Sequence, residues 1–300
     1  MKGEILKREI YHIYDIILKT ILLVYGDEFL KFIGEKRSLK KVLKTEIITK
    51  KGRTLYLDYL CMLEDGTLLH IEFQFTAVSE ADLERFFDYN IFSQTEHDSL
   101  CDTVIISFRT QLAGKKILKI GKTKTTHPNF IYLGDIDFNK VLNNITDKVK
   151  NNSKLTGNDE ILLMLMCLVP KNKNKVEILT KICKMLKKEE LFDKTKIDTF
   201  KGVISLEIQN LLSKVEQKKL KGKIKLTPET KELINNAISE VGRKYRYLEK
   251  QELIEEGMKK GMKKGKKEEK EEIAKNLKDI LPDEEIAKYT GLDLKTVQKI

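Results

Sequence analysis

Asp58, Glu72 and Gln74 are the residues whose types and spacing could do chemistry. They lie in the run R-T-L-Y-L-D-Y-L-C-M-L-E-D-G-T-L-L-H-I-E-F-Q-F-T, from Arg53 to Thr76. Thr54 to Leu63 is rich in β-branched, aromatic and aliphatic residues. In the second half Leu69, Ile71, Phe73 and Phe75 alternate with His70, Glu72, Gln74 and Thr76, the period of two of a half-buried strand. Asp58 stands inside a run that otherwise favours burial, and a charge there is costly unless it is paired or binds a metal. The loop between the strands decides whether the two carboxylates meet. A two-residue Asp65-Gly66 loop sets Asp58 opposite Phe73. A three-residue Glu64-Asp65-Gly66 loop, with glycine in the left-handed position, sets Leu63 opposite Thr67 and Asp58 opposite Glu72. We expect the second arrangement. Directly opposed residues have Cβ atoms about 5 Å apart, and a divalent cation relieves the repulsion of two carboxylates that close. Asp58 and Glu72 are thus candidate Mg²⁺ ligands, with Mn²⁺ as a substitute ion and Gln74 beside them. The plainer alternative is that Asp58 caps the chain or pairs with a nearby Lys or Arg.

The order Asp, hairpin, then E-x-K or E-x-Q resembles the core of the PD-(D/E)XK nuclease superfamily. The string L-D-Y-L-C-M-L-E-D-G-T-L-L-H-I-E-F-Q is similar to its Rpn-like branch, the recombination-promoting, transposase-like nucleases. Tyr14-Asp15-Ile16-Ile17-Leu18-Lys19 resembles that branch's N-terminal D-x-x-F-K element. Glu84-Arg85-Phe86-Phe87-Asp88-Tyr89 resembles its E-R-x-x-x-Y helix, and E-E-G-M-K-K-G-M-K-K-G-K-K-E-E resembles its tail. The resemblance covers roughly the first 140 residues and the last 50. It implies a restriction-endonuclease-like α/β fold, a mixed sheet flanked by helices, and a metal-dependent DNA endonuclease. It makes Asp15 a third candidate ligand, beside the reading of a solvent-facing Asp, and brings Arg85 and Tyr89 near a scissile phosphate. Where the commonest pattern has lysine this chain has Gln74, which orients water but neither carries charge nor takes a proton. Arg85 and Lys19 are the cations available to compensate. The rival is a protein that keeps the fold, binds DNA or assembles, and cleaves nothing.

Around this hairpin the expected elements are these. A helix spans Glu4 to Phe32, punctuated by Gly26 and Gly34. A basic stretch runs from Lys36 to Lys44, then a short strand from Glu46 to Thr49 ends in a turn at Gly52. After the hairpin Ser79 caps a helix to about His97, with Asp82 at N3 and an inner face of Leu83, Phe86, Phe87, Asn90, Ile91 and Gln94. Thr103–Ser107 is a central strand and Phe130–Leu133 another. Between them Arg109 to Thr126 carries Arg109, Lys115, Lys116, Lys119, Lys122 and Lys124 and no acid, suited to phosphate contact or to a solvated loop. With Lys19, Arg85 and Tyr89, the cations Arg109, Lys115 and Lys116 are the candidate nucleic-acid contacts.

The Asn-rich stretch Asn139 to Gly157 reads as a boundary. The expected organisation is a nuclease-like core over 1–140, a helical domain over 155–225, a long helix or linker over 227–278, and a helix-turn-helix-like hairpin over 279–300. Gly257, Gly261 and Gly265 either let a second helix approach, giving a homo-oligomer through the C-terminal helix, or mark a flexible linker. A formal charge of +11 attracts polyanions, DNA first, unless lysine is simply the preferred surface residue. Cys61, Cys101, Cys167 and Cys183 form no C-x-x-C pair, which fits a reducing cytoplasm and speaks against a zinc or disulfide framework. No signal-peptide pattern and no 18-residue apolar run is present, so no membrane span is expected.

Overall fold

The computed structural model describes residues 2–300 except 50–53, 113, 115, 121–123, 127, 171, 173, 221–223, 225, 279 and 280. The chain opens with helices α1 (Lys2–Val24) and α2 (Gly26–Phe32). Strands β1 (Leu39–Val42), β2 (Glu46–Ile48), β3 (Thr54–Tyr56), β4 (Tyr59–Leu63) and β5 (Leu68–Gln74) follow. Helix α3 (Glu80–His97) leads into β6 (Cys101–Ser107), the small hairpin β7 (Leu118–Ile120) and β8 (Lys124–Thr126), and β9 (Asn129–Tyr132). The main sheet has the order β1-β4-β5-β6-β9. Its first three strands are antiparallel and its last three parallel, a mixed sheet. Parallel β5 and β6 require a crossover, and α3 supplies it. Ser79 accepts from the Asp82 backbone N–H in the expected capping box.

The expectation of a half-buried β5 needs correction. Every residue of the strand is buried, His70, Glu72 and Gln74 included. As the central strand, β5 has β4 and β6 on its two edges and α3 packed on it, so its polar alternate cannot face water. The opposite phase meets the N-terminal helices. Phe73 lies 6.3 Å from Phe29 of α2, and Phe75 stacks on Tyr14 of α1 at 4.7 Å. Gly26 belongs to the same packing: a Cβ there would meet the Leu39 side chain of β1 at 2.7 Å.

Two further expectations change. The basic stretch Lys36–Lys44 contains β1, an edge strand with Lys40 and Lys41 exposed, since lysines guard a sheet edge against further pairing. The Asn-rich boundary is mostly helix α4 (Phe138–Lys150). Its buried Phe138, Leu142, Ile145 and Val149 recur every three to four residues, a stripe that the asparagines mask. Gly52 lies outside the described residues.

The remaining chain is mostly helical: α5 (Gly157–Leu165), α6 (Lys175–Met185), α7 (Ile197–Leu211), α8 (Lys214–Leu220), α9 (Pro228–Leu277), α10 (Asp283–Thr290) and α11 (Leu294–Lys299). Chain contacts fall into two compact units, Met1–Val241 and Gly242–Ile300. In the first, α5 and α7 pack on α1 and α2. The Tyr25 hydroxyl donates to Glu160 at 2.6 Å, and Lys196 pairs with Glu28. In the second, Ala274, Ile286 and Val297 form a small core, and Gly291 closes α10 with φ +66°. Gly257, Gly261 and Gly265 are helical, and nothing described lies within 4 Å of a Cβ placed on them. Among the described residues no helix is long and apolar enough to cross a membrane.

Candidate metal centre on the β4–β5 hairpin

The hairpin loop has three residues. The Leu63 N–H donates to the Thr67 carbonyl at 2.9 Å, the Gly66 N–H to the Leu63 carbonyl at 3.0 Å, and Gly66 has φ +84°. Asp65 ties the loop by accepting from the Thr67 N–H at 2.9 Å. The ladder then runs Met62 with Leu68, Cys61 with Leu69, Leu60 with His70 and Tyr59 with Ile71. β4 begins at Tyr59, and continuing this register sets Asp58 opposite Glu72, as the loop length requires.

There Glu72 holds the backbone of Asp58, and Asp58 holds that of Phe73. Glu72 Oε1 accepts from the Asp58 N–H at 3.0 Å, and Asp58 Oδ2 accepts from the Phe73 N–H at 2.9 Å. Asp58 can turn this way because its strand breaks. The Leu43 N–H donates to the Leu60 carbonyl, yet the Leu57 N–H donates to the Thr45 carbonyl. Asp58 and Tyr59 therefore face Lys44 alone, two residues against one, which is a β-bulge. The bulge divides the expected continuous strand into β3 and β4 and aims Asp58 along the sheet towards Glu72.

His70 completes the arrangement. It is fully buried, and its Nε2 lies 2.8 Å from Glu72 Oε1. Both hydrogen bonds that the described residues give Glu72 go to Oε1. Two carboxylates, one of them oriented by a histidine, suit Mg²⁺, which keeps several waters and takes one or two carboxylates. Among the described residues no three His, Cys, Asp or Glu side chains gather as a metal cage. Asp15 therefore does not join Asp58 and Glu72 in a three-carboxylate cluster. It sits half-buried on α1, between Tyr14, stacked on Phe75, and Lys19, whose Nζ donates to Thr45 Oγ1 at 3.4 Å.

The other candidates take distinct places. Gln74 is buried and its Nε2 donates to Thr76 Oγ1 at 2.8 Å. Arg85 leaves α3 with its side chain 44% exposed, 3.3 Å from Asp82. Desolvation works against its charge, but the negative field of Glu72, with Tyr89, Asp82 and Asp58, outweighs it and raises the Arg85 pKa. Tyr89 is buried, edge-on to His70 at 5.8 Å. It takes the inner-face place expected of Ile91, which is exposed. Arg109 is exposed and donates through Nε to the Phe75 carbonyl at 2.9 Å, just beyond Gln74. Lys116 lies over the Tyr132 ring at 5.8 Å, on the β9 edge. Lys115 and Lys122 lie outside the described residues.

Sequence reasoning put His70 on the Glu72 side of its strand, with a structural role favoured over substrate contact, and missed Lys44 and Thr45 as neighbours of the site. For His70 the signal was present, since it shares the alternation phase of Glu72 and Gln74. For Lys44 and Thr45 none was, because β1 reaches the site only through the sheet order. No family model, curated protein or solved structure matches this chain.

Proposed function

We propose that this protein is a Mg²⁺-dependent DNA endonuclease with a restriction-endonuclease-like core, of the PD-(D/E)XK type and its Rpn-like branch. The observation that carries the reading is the Asp58–Glu72 rung, made by a three-residue loop and a bulge. The antiparallel β4–β5 hairpin, the crossover helix α3 and parallel β6 supply the sheet on which such a site is built. Asp58 and Glu72 would hold the cation, and His70 fixes the orientation of Glu72. When bound, such an ion polarises a phosphodiester and lowers the pKa of water. Arg85, in the field of both carboxylates, adds positive charge for a phosphate, and Gln74 offers its amide to a water.

The test is nicking of supercoiled plasmid with Mg²⁺, compared with EDTA. Nicking is expected in the wild type and absent in Asp58→Ala and Glu72→Ala. Nicking that persists in both variants overturns the assignment. Gln74 favours one second reading, because no lysine stands at that position to take a proton or add charge. In it the fold is kept for binding DNA, and salt-sensitive DNA affinity appears with no nicking at all.

A further inference from the structure

The exposed edge of the main sheet carries cations that the site does not use. Lys40 and Lys41 stand exposed on β1, and Lys44 is exposed where the strand ends. Arg37, in the same stretch, is already neutralised by Glu35 at 2.7 Å and Asp102 at 2.8 Å. Lys40, Lys41 and Lys44 make no ion pair among the described residues, so their charge is turned outward. The neighbouring acids are Asp27, whose carboxylate accepts from the Leu39 N–H at 2.8 Å, exposed Glu64, whose N–H donates to the Ser38 carbonyl at 3.0 Å, and exposed Glu46. The register gives the row a direction. Val42 pairs with Cys61, Leu43 bonds Leu60, and Lys44 faces the bulge made by Asp58 and Tyr59. Leu43, bonded to Leu60 and through it paired with His70, shares the face of Glu72, so Lys44 leaves the opposite face and the lysines end at the sheet edge beside Asp58, where Lys19 already reaches Thr45.

We infer that Lys40, Lys41 and Lys44 form a phosphate track along β1 that leads the backbone of duplex DNA to the Asp58–Glu72 rung. The inference rests on the nuclease reading for what happens at the end of the track, but not for the binding itself. At about 3.3 Å per residue the row from Lys40 to Lys44 spans about 13 Å, roughly four base pairs of axial rise. Lysines on a flexible stem meet phosphates as point charges, and an edge strand adds outward backbone N–H donors, so the track positions DNA without reading its sequence. The competing account is that these lysines only protect the edge from pairing with another strand. It predicts no special share in DNA affinity.

The two accounts separate in a binding experiment on the full chain. A fluorescein-labelled duplex is titrated in EDTA, so that nothing is cut, over a series of salt concentrations. Each phosphate contact contributes about 0.9 to the slope of log K against log salt. The triple variant Lys40→Gln, Lys41→Gln, Lys44→Gln is expected to shrink that slope by about 2 to 3. A control triple, Lys184→Gln, Lys187→Gln, Lys194→Gln, removes the same formal charge from exposed positions on the helical side and is expected to leave it unchanged. Equal shrinkage in both variants, or none in either, overturns the track. If the first triple fails to fold by circular dichroism, the single Lys44→Gln carries the test, with a shrinkage of about 1 expected and none overturning it. A track that binds in a protein that never nicks leaves this inference standing and removes the nuclease reading. Nicking with an unaltered slope does the reverse.

Discussion

Two buried glutamates, Glu72 on β5 and Glu207 on α7, are treated in opposite ways. Glu72 is 4% exposed, and two donors, the Asp58 N–H and His70 Nε2, converge on its Oε1. Glu207 is fully buried, and among the described residues no N–H or O–H donates to either carboxylate oxygen, which has the Cys167 thiol and Lys175 near it. Burial holds the Glu207 pKa well above the usual carboxylate range, with Lys175 and Cys167 pulling it back only in part. Burial raises the neighbouring Cys167 thiol too, and it lowers the Lys175 pKa. The difference teaches what a buried carboxylate needs here. It needs donors that suit an anion, and Glu72 has them while Glu207 does not.

The largest expected effect tests the functional half of that contrast. Glu72→Gln is expected to abolish Mg²⁺-dependent plasmid nicking, while Glu207→Gln leaves the rate at wild-type level. Equal loss in both would erase the distinction. Next comes the donor itself. His70→Phe, which keeps a ring beside Tyr89 but removes the bond to Glu72, is expected to weaken Mg²⁺ binding by about 10- to 100-fold. Calorimetric titration reads the change, and an unaltered affinity makes His70 a packing residue.

The third effect concerns Glu207. Glu207→Leu removes a buried polar group without an N–H or O–H donor and is expected to stabilise the fold by about 1–3 kcal/mol in urea unfolding. Its pH dependence has a definite sign. A carboxyl whose folded pKa is raised contributes stability below its unfolded value of about 4.3, and that contribution is lost as pH rises towards the folded value. The advantage of Glu207→Leu over wild type should therefore grow as pH rises from about 4. An advantage that shrinks instead would mean that Glu207 is charged and held.

The smallest effect is at Glu35, where the hydrogen bonds from Arg37 are the main cause that lowers the pKa to about 2. This sign is reversed: the stabilisation is present above the ordinary value near 4.5 and is lost as pH falls towards 2. Glu35→Gln should cost within about 1 kcal/mol at neutral pH, and the gap from wild type should close on acidification.

Much of the site was legible because it depends on short-range rules. Gly66 in a three-residue loop sets the register, and continuing that register past Tyr59 sets Asp58 opposite Glu72. The Ser79–Asp82 cap announced α3 for the same reason. What was not legible depends on partners far along the chain. The bulge at Asp58 exists because the chain from Leu43 to Thr45 pairs with it, and nothing within Thr54–Leu63 signals the break. Lys36–Lys44 looked merely basic because an edge strand with charged side chains has no apolar alternation to read. Helix α4 was hidden by asparagines on its outer face.

The order of residues, by itself, determined the hairpin, its loop and the register that sets Asp58 opposite Glu72, since those follow from a period of two and a turn that only a few residues span. Only the tertiary structure decided that β5 is buried on both faces, that His70 turns its ring to Glu72, and that an edge of lysines ends beside Asp58. Those outcomes depend on which elements cover which, and that is settled by packing among segments that the sequence holds far apart.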